Sequence, residues 1–147
     1  MDINNILKML DWNNDLEIQK EGLLQAEHIK CLSVFVQPMD EQFNKNIWEN
    51  CAMILSGKED VLLTPYLFKL LDWLQDLNWP GSMKILERLK KYRDYERLSM
   101  AIKNRIVVAN ALEDEVWLSN LAELLICDEV KKKINNHIYE IIEAYME

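Results

Sequence analysis

The sequence has few of the residues that interrupt helices: three glycines and three prolines among 147 residues. Half of the residues are hydrophobic and 29% are charged, so the composition favours ordered helices over sheets or disorder. No apolar run reaches the roughly 18 residues needed to cross a bilayer. The N-terminus, MDINNILKML, has acidic and amide residues where a signal peptide needs positive charge, and no small-residue cleavage site follows it. We therefore expect a single cytoplasmic domain spanning residues 1–147.

Residue patterns typical of catalytic and metal sites are also missing. Cys31, Cys51 and Cys127 are far apart and form no C-x-x-C pair, as in thiols of a reducing compartment. The two histidines, His28 and His137, have no metal-ligand spacing. No phosphate-binding loop, nucleophile elbow or zinc-protease motif occurs. We therefore predict no catalytic residue, no cofactor and no metal, and a protein that is not an enzyme.

The net charge of −8 is unevenly placed along the chain. Residues 1–60 hold five basic and eleven acidic residues, residues 61–105 hold nine and five, and residues 106–147 hold three and nine. An acidic protein repels phosphate, so the composition disfavours nucleic-acid binding. It favours a basic protein partner, whose approach the field would accelerate. Simple solubility is the alternative explanation of the same charge.

Residues 64–92 predict a helical hairpin around which the rest of the chain is organised. Leucines recur at helical spacing from Leu67 to Leu77, and Thr64 and Pro65 suit the start of a helix. Trp79 precedes Pro80, which favours a turn before a second helix. That second helix carries a matching apolar stripe: Ile85, Leu86, Leu89 and Tyr92.

Similar patterns predict six further helices. They run from about Ile3 to Leu10, from about Leu16 to Ser33, from Gln42 to Leu55, and onward from Asp94, Asp114 and Asp128. The second of them carries the apolar residues Leu16, Leu23, Leu24, Ala26 and Ile29. Residues 34–38 are predicted as a helix end plus a loop, and residues 60–63 as a turn. The prediction is an all-α fold, an α-solenoid-like stack of about four antiparallel helical hairpins.

An internal repeat supports the prediction of a stack. Residues 6–16, ILKMLDWNNDL, align with residues 67–77, LFKLLDWLQDL, and six of the eleven pairs are identical. Repeated helical hairpins are the sequence sign of an α-solenoid. The repeat also places Asp11 and Asp15 in the same positions as Asp72 and Asp76.

A carboxylate pair that occurs twice is more typical of turns than of catalysis. Acidic side chains at helix ends accept backbone hydrogen bonds, and those that remain exposed contact partners. Trp12, Trp73 and Trp79 lie beside these acids and pack between repeats or, if one is exposed beside Asp72 and Asp76, anchor an interface. The predicted partner-binding residues are Asp11, Asp15, Asp72, Trp73, Asp76 and Trp79.

The basic middle of the chain offers a different interpretation. Lys84, Arg88 and Lys91 lie at helical spacing on one face, as in helical-repeat enzymes that follow a nucleic-acid backbone. The alternative is a solvated face that balances nearby acids such as Glu87.

Three motifs fall within residues 48–92: W-x-N-C-A at 48–52, L-x-P-Y-L at 63–67 and W-L-Q-D-x-N-W-P-G at 73–81. Together they resemble a bacterial helical-repeat family of otherwise unknown function. The resemblance implies a HEAT-type fold, and small acidic proteins of this type commonly accompany bacterial toxins as immunity proteins. The implied function is non-catalytic binding of a cognate, basic protein toxin. The alternatives are a nucleic-acid-processing helical-repeat enzyme and a general scaffold for peptides.

Overall fold

The computed structural model describes residues 2–38 and 45–146, and in these ranges it contains helices and no strand. The α-helices are α1 (Ile3–Met9), α2 (Leu16–Ala26), α3 (Trp48–Ser56), α4 (Asp60–Leu63), α5 (Leu67–Asp72), α6 (Ser82–Lys90), α7 (Tyr95–Ala111), α8 (Glu115–Ala122), α9 (Asp128–Lys131) and α10 (Asn136–Ile142). Short 3-10 turns are Leu32–Phe35, Lys45–Ile47, Thr64–Tyr66, Trp73–Gln75, Glu123–Ile126 and Glu143–Tyr145. The all-α prediction is confirmed. The predicted helix start at Gln42 lies outside the described residues.

Several helices begin where their capping residues predict. The Asp94 carboxylate accepts a hydrogen bond from Arg97 N at 3.2 Å, and that of Asp114 accepts one from Trp117 N at 3.0 Å. Each satisfies an amide that the first helical turn would leave unpaired. None of the helices in the described ranges is both long and apolar enough to traverse a lipid bilayer.

The predicted turn at residues 60–63 is wrong, because α4 occupies it. Residues 60–75 continue from α4 through Thr64–Tyr66 and α5 to Trp73–Gln75. Thr64 therefore does not cap a helix start. Its hydroxyl donates to Asp60 O at 2.9 Å and contacts the Tyr92 hydroxyl.

The second helix is shorter than predicted, and only part of its apolar residues is buried. It ends at Ala26 instead of Ser33. Ala26 is buried, whereas Leu16 and Leu24 are 69% and 55% exposed. The reason is a close approach of α2 to α1 at Gly22, where a Cβ would lie 2.9 Å from Met9 Cβ. The face of α2 that carries Gly22 and Ala26 is buried, so the leucines on the other faces remain in solvent.

One hydrophobic core connects the helices. The longest helix, α7, packs against α5, α8, α9 and α10, while α3 packs against α6 and α1 against α2. The residues of α7 that were predicted to face inward are all buried: Leu98, Ala101, Ile102, Ile106 and Ala109. The predicted last helix is divided into α9 and α10, since Asn135 caps a new start by accepting from Ile138 N at 2.9 Å.

The joint between α3 and α6 is built from tryptophans and one glycine. Trp48 meets Trp73 and Trp79 edge to face, with ring centroids 6.1 and 5.6 Å apart. Gly81 has a φ of 82°, and a Cβ there would lie 2.7 Å from Ala52 Cβ and 2.8 Å from Trp48 O. Only glycine fits both this backbone conformation and this space.

We predict that Gly81→Ala lowers the free energy of unfolding by about 3 kcal/mol, because left-handed strain adds to overpacking against α3. Urea denaturation measures the loss. Gly57→Ala is the matched control, since Gly57 ends α3 with a φ of −85° and a Cβ there would meet nothing closer than 3.6 Å. A loss at Gly57→Ala as large as at Gly81→Ala would contradict this explanation of the joint.

Asp60 ties the start of α4 to α6. Its carboxylate accepts hydrogen bonds from the Arg88 guanidinium and from Arg93 N, the latter at 2.9 Å. Burial alone would raise the pKa of Asp60, but the hydrogen bonds from Arg93 and Arg88 and their positive charges outweigh it and lower the pKa. The charged carboxylate therefore stabilises the folded state.

We predict that Asp60→Asn lowers the free energy of unfolding by about 1 kcal/mol at neutral pH. Because the folded-state pKa is below the unfolded value of about 3.9, the contribution is present above that value and is lost as the pH falls through the folded pKa. Urea denaturation from pH 7 to 3 should show wild type and variant converging at low pH. Glu59→Gln, which removes an exposed neighbouring charge, should show no such convergence.

Candidate functional site

The two copies of the internal repeat adopt different structures. In residues 6–16, α1 ends at Met9 and residues 11–15 form a turn before α2. In residues 67–77, helical structure continues through Asp72 and then as a 3-10 turn to Gln75. As a result Trp12 is 45% exposed, whereas the matching Trp73 is 0% exposed.

The predicted binding residues of the second copy are used in internal contacts. Trp73 has no surface to offer a partner, so its predicted contact role is wrong: its Nε1 donates to Pro80 O at 3.0 Å inside the joint. Asp72 pairs with Arg105 at 3.0 Å, and both side chains are mostly buried. The Asp76 carboxylate accepts from Asn78 N at 2.8 Å, so it caps the turn.

Trp79 is neither fully buried like Trp73 nor as exposed as Trp12. Its ring packs on Trp48, and the ammonium of Lys45 lies 5.5 Å from the ring centroid. One part of the side chain remains accessible. Its edge-to-face contact with Trp48 belongs to the joint between α3 and α6.

The turn of the first copy is held by a set of amide side chains. Asn14 Nδ2 donates to Lys8 O at 2.7 Å, and Gln19 Nε2 donates to Asn14 O at 2.7 Å and to Trp12 O at 3.1 Å. Buried Asn50 donates to Leu10 O at 2.7 Å and to Gln19 Oε1 at 3.0 Å. These bonds fix the backbone on both sides of the exposed Trp12 ring. Sequence reasoning assigned no role to Asn50, although a polar residue within an apolar helix face was a signal.

We call the Trp12 surface the residues of this turn and of the start of α2 that reach solvent: the partly exposed Asp11 and the exposed Trp12, Asp15, Leu16 and Glu17. Asp11 Oδ1 accepts from Asn13 N at 2.8 Å, which orients the carboxylate beside the tryptophan. Within residues 2–38 and 45–146, none of the three acids of the Trp12 surface forms an ion pair. The surface therefore combines an aromatic ring, an exposed leucine and uncompensated negative charge.

By contrast, positive charges in the basic middle of the chain are paired with acidic side chains. Lys84 pairs with Glu49 at 3.0 Å, and Arg88 pairs with Asp60. Two members of the predicted basic stripe thus already have acidic partners. Since free cations supply most of the affinity for phosphate, this pairing weakens the interpretation as a nucleic-acid site.

The buried thiol is unsuited to nucleophilic chemistry. Burial raises the pKa of Cys51 to about 12, opposed in part by a hydrogen bond with the side chain of Gln37. Such a thiol stays protonated near neutral pH. Among the residues that the structure describes, no group of three or more histidine, cysteine or acidic side chains is arranged to hold a metal ion.

A family model described as a domain of unknown function, DUF5071, matches residues 39–147. The chain belongs to the DUF5071 family. The DUF5071 match contains the three motifs within residues 48–92 and leaves residues 1–38, with the Trp12 surface, outside it. No curated protein and no solved structure matches the chain.

We predict unequal stability effects for the two aligned tryptophans. Trp73→Ala should lower the free energy of unfolding by about 3 to 5 kcal/mol, because it leaves a cavity beneath Trp48. Trp12→Ala should change it by less than about 1 kcal/mol, because the ring is half in solvent and its backbone is held by other residues. Urea denaturation of both variants measures the difference. Equal losses would mean that Trp12 also supports the fold.

Proposed function

We propose that the protein is a non-catalytic binding protein that neutralises a basic protein toxin, as an immunity protein does. The observation that carries the proposal is the exposed Trp12 on a fixed turn, between carboxylates that have no ion-pair partner in the described chain. The toxin would place lysine or arginine side chains against Asp11, Asp15 and Glu17.

The Trp12 surface has the properties of an interface anchor. Tryptophan is enriched among the residues that contribute most to binding, since its large ring loses few degrees of freedom when it is covered. The turn is already ordered by Asn14, Gln19 and Asn50, so little conformational entropy remains to be lost on association. Leu16 extends the apolar contact area.

The charge distribution supports a basic partner. Residues 1–60 and 106–147 each carry a net charge of −6, while the positive middle of the chain is partly neutralised by internal pairs. A field of this sign accelerates the encounter with a basic protein and slows the encounter with nucleic acid.

A HEAT-like stack in the cytoplasm is part of this proposal. Sequential helices pack together in α1 with α2 and in α7 with α8, which supports stacked hairpins. The resemblance carried by residues 48–92 supports the immunity role. Binding by a helical stack needs no catalytic group, consistent with the protonated Cys51.

The test begins with capture from the source cell's lysate by the tagged protein and by an Asp11→Lys/Asp15→Lys variant. We expect one stoichiometric basic protein that is weakened or lost with the variant, and whose toxicity the wild type suppresses on co-expression. Nucleic acid, or many weakly bound proteins, would replace the proposal with the nucleic-acid-processing enzyme or the scaffold.

We predict that Asp11→Lys/Asp15→Lys slows association with the captured partner about tenfold at low salt and reduces the salt dependence of the rate. Trp12→Ala should instead speed dissociation, by about 30-fold for a 2 kcal/mol anchor. Surface plasmon resonance measures both rates. Glu115→Lys/Glu140→Lys makes the same change in net charge away from the Trp12 surface, and an equal effect from this control would show that only overall charge matters.

A further inference from the structure

Three helices near the end of the chain enclose a cleft of about 650 Å³. Its walls come from α8 with the turn Glu123–Ile126, from α9, and from α10 with the turn Glu143–Tyr145. The volume is in the range of pockets that hold small ligands or a few side chains. Unlike the Trp12 surface, the cleft lies within the part of the chain that matches DUF5071.

The cleft has apolar and aromatic parts. Ala122 and Leu125 are buried beneath it, and Ile126 is exposed at its edge. Tyr139 and Tyr145 also line it, and each keeps part of its side chain in solvent. Tyrosine rings attract cations placed over their faces, and guanidinium groups in particular stack on them.

The charged residues of the cleft are mainly acidic. Glu123, Asp128 and Glu143 line it, against one cation, Lys131. In the described ranges Asp128 and Glu143 form no ion pair, and Glu123 has only Lys90 at 3.9 Å. The carboxylates are thus available to a cationic group from outside.

We propose that this cleft binds an arginine side chain of a protein segment in which apolar residues flank the arginine. The guanidinium is planar and weakly hydrated, so it can bond to carboxylates and stack on a tyrosine at the same time. A lysine ammonium is more strongly hydrated and lacks the planar face. The exposed Ile126 and the exposed part of Tyr139 provide the contact for the flanking apolar residues.

The inference shares with the proposed function only the basic character of the partner. The two sites are built from different residues, so binding at one can be lost while binding at the other persists.

Nuclear magnetic resonance titration of the isotope-labelled full chain tests the proposal, with a blocked Leu-Arg-Leu tripeptide as the probe. We expect saturable shifts at the backbone amides of Ile126, Tyr139 and Tyr145, weaker binding of argininamide, and none of a Leu-Glu-Leu tripeptide. Shifts distributed over all acidic surfaces without saturation, or equal binding of the glutamate peptide, would overturn the proposal.

Variants separate this cleft from the Trp12 surface. Asp128→Asn/Glu143→Gln should weaken Leu-Arg-Leu binding about tenfold, and Glu143→Gln alone, at an exposed position, provides a second test if the double variant folds poorly. Asp11→Asn/Asp15→Asn should leave tripeptide binding unchanged. An equal loss of tripeptide binding in both double variants would show a general charge effect and overturn the proposal for the cleft. If the tripeptide fails to bind while Trp12→Ala still speeds release of the captured partner, only the cleft proposal fails.

Discussion

The close contact of Gly81 with α3 is the constraint on which much of the fold depends. It brings the start of α6 against Ala52 and Trp48, and Glu49 accepts the Gly81 amide at 2.9 Å. Trp73 fills the space beneath, and its carbonyl accepts a hydrogen bond from Ser82 Oγ at 2.8 Å. A bulkier residue at position 81 would move α6 away from α3 and open the tryptophan cluster to water.

This constraint explains why the most recognisable part of the sequence is not the candidate binding surface. The residues of the W-x-N-C-A and W-L-Q-D-x-N-W-P-G motifs build the joint, cap its turn or fix neighbouring backbone, as Asn50 does at Leu10. Asp72 pairs with Arg105 of α7, and Asp76 accepts a hydrogen bond from the Asn78 amide. Uncompensated acids and an exposed tryptophan occur together instead on the first copy, where no second tryptophan covers the ring.

The sequence predicts those elements whose signals are local. Caps at Asp94 and Asp114 and the apolar spacing of α7 led to correct helix starts and correct buried faces, because one strong amphipathic pattern fits only one orientation. The apolar pattern of α2 did not show which of its residues are buried, because that depends on the approach of Gly22 to Met9, a contact between two helices. Thr64 appeared suited to cap a helix start, but the helix begins four residues earlier, at Asp60, whose carboxylate pairs with Arg88.

The candidate site was predictable in part, for a similar reason. The repeat drew attention to Asp11 and Asp15, together with the tryptophan between them. It also suggested that both copies were equivalent. They are not, because Trp48 packs on Trp73 and helps to bury it. Whether a tryptophan packs or stays exposed is decided by its neighbours from distant segments, and an eleven-residue pattern does not contain them.

The most direct measurement of the central claim is hydrogen–deuterium exchange of the full chain, free and in complex with the captured partner. If the partner binds the Trp12 surface, amides of residues 11–18 become protected on complex formation, while those of residues 72–81 change little because they are already held within the joint. Protection confined to residues 72–81, with residues 11–18 unchanged, would contradict the account. It would indicate that the partner binds at the second copy of the repeat instead.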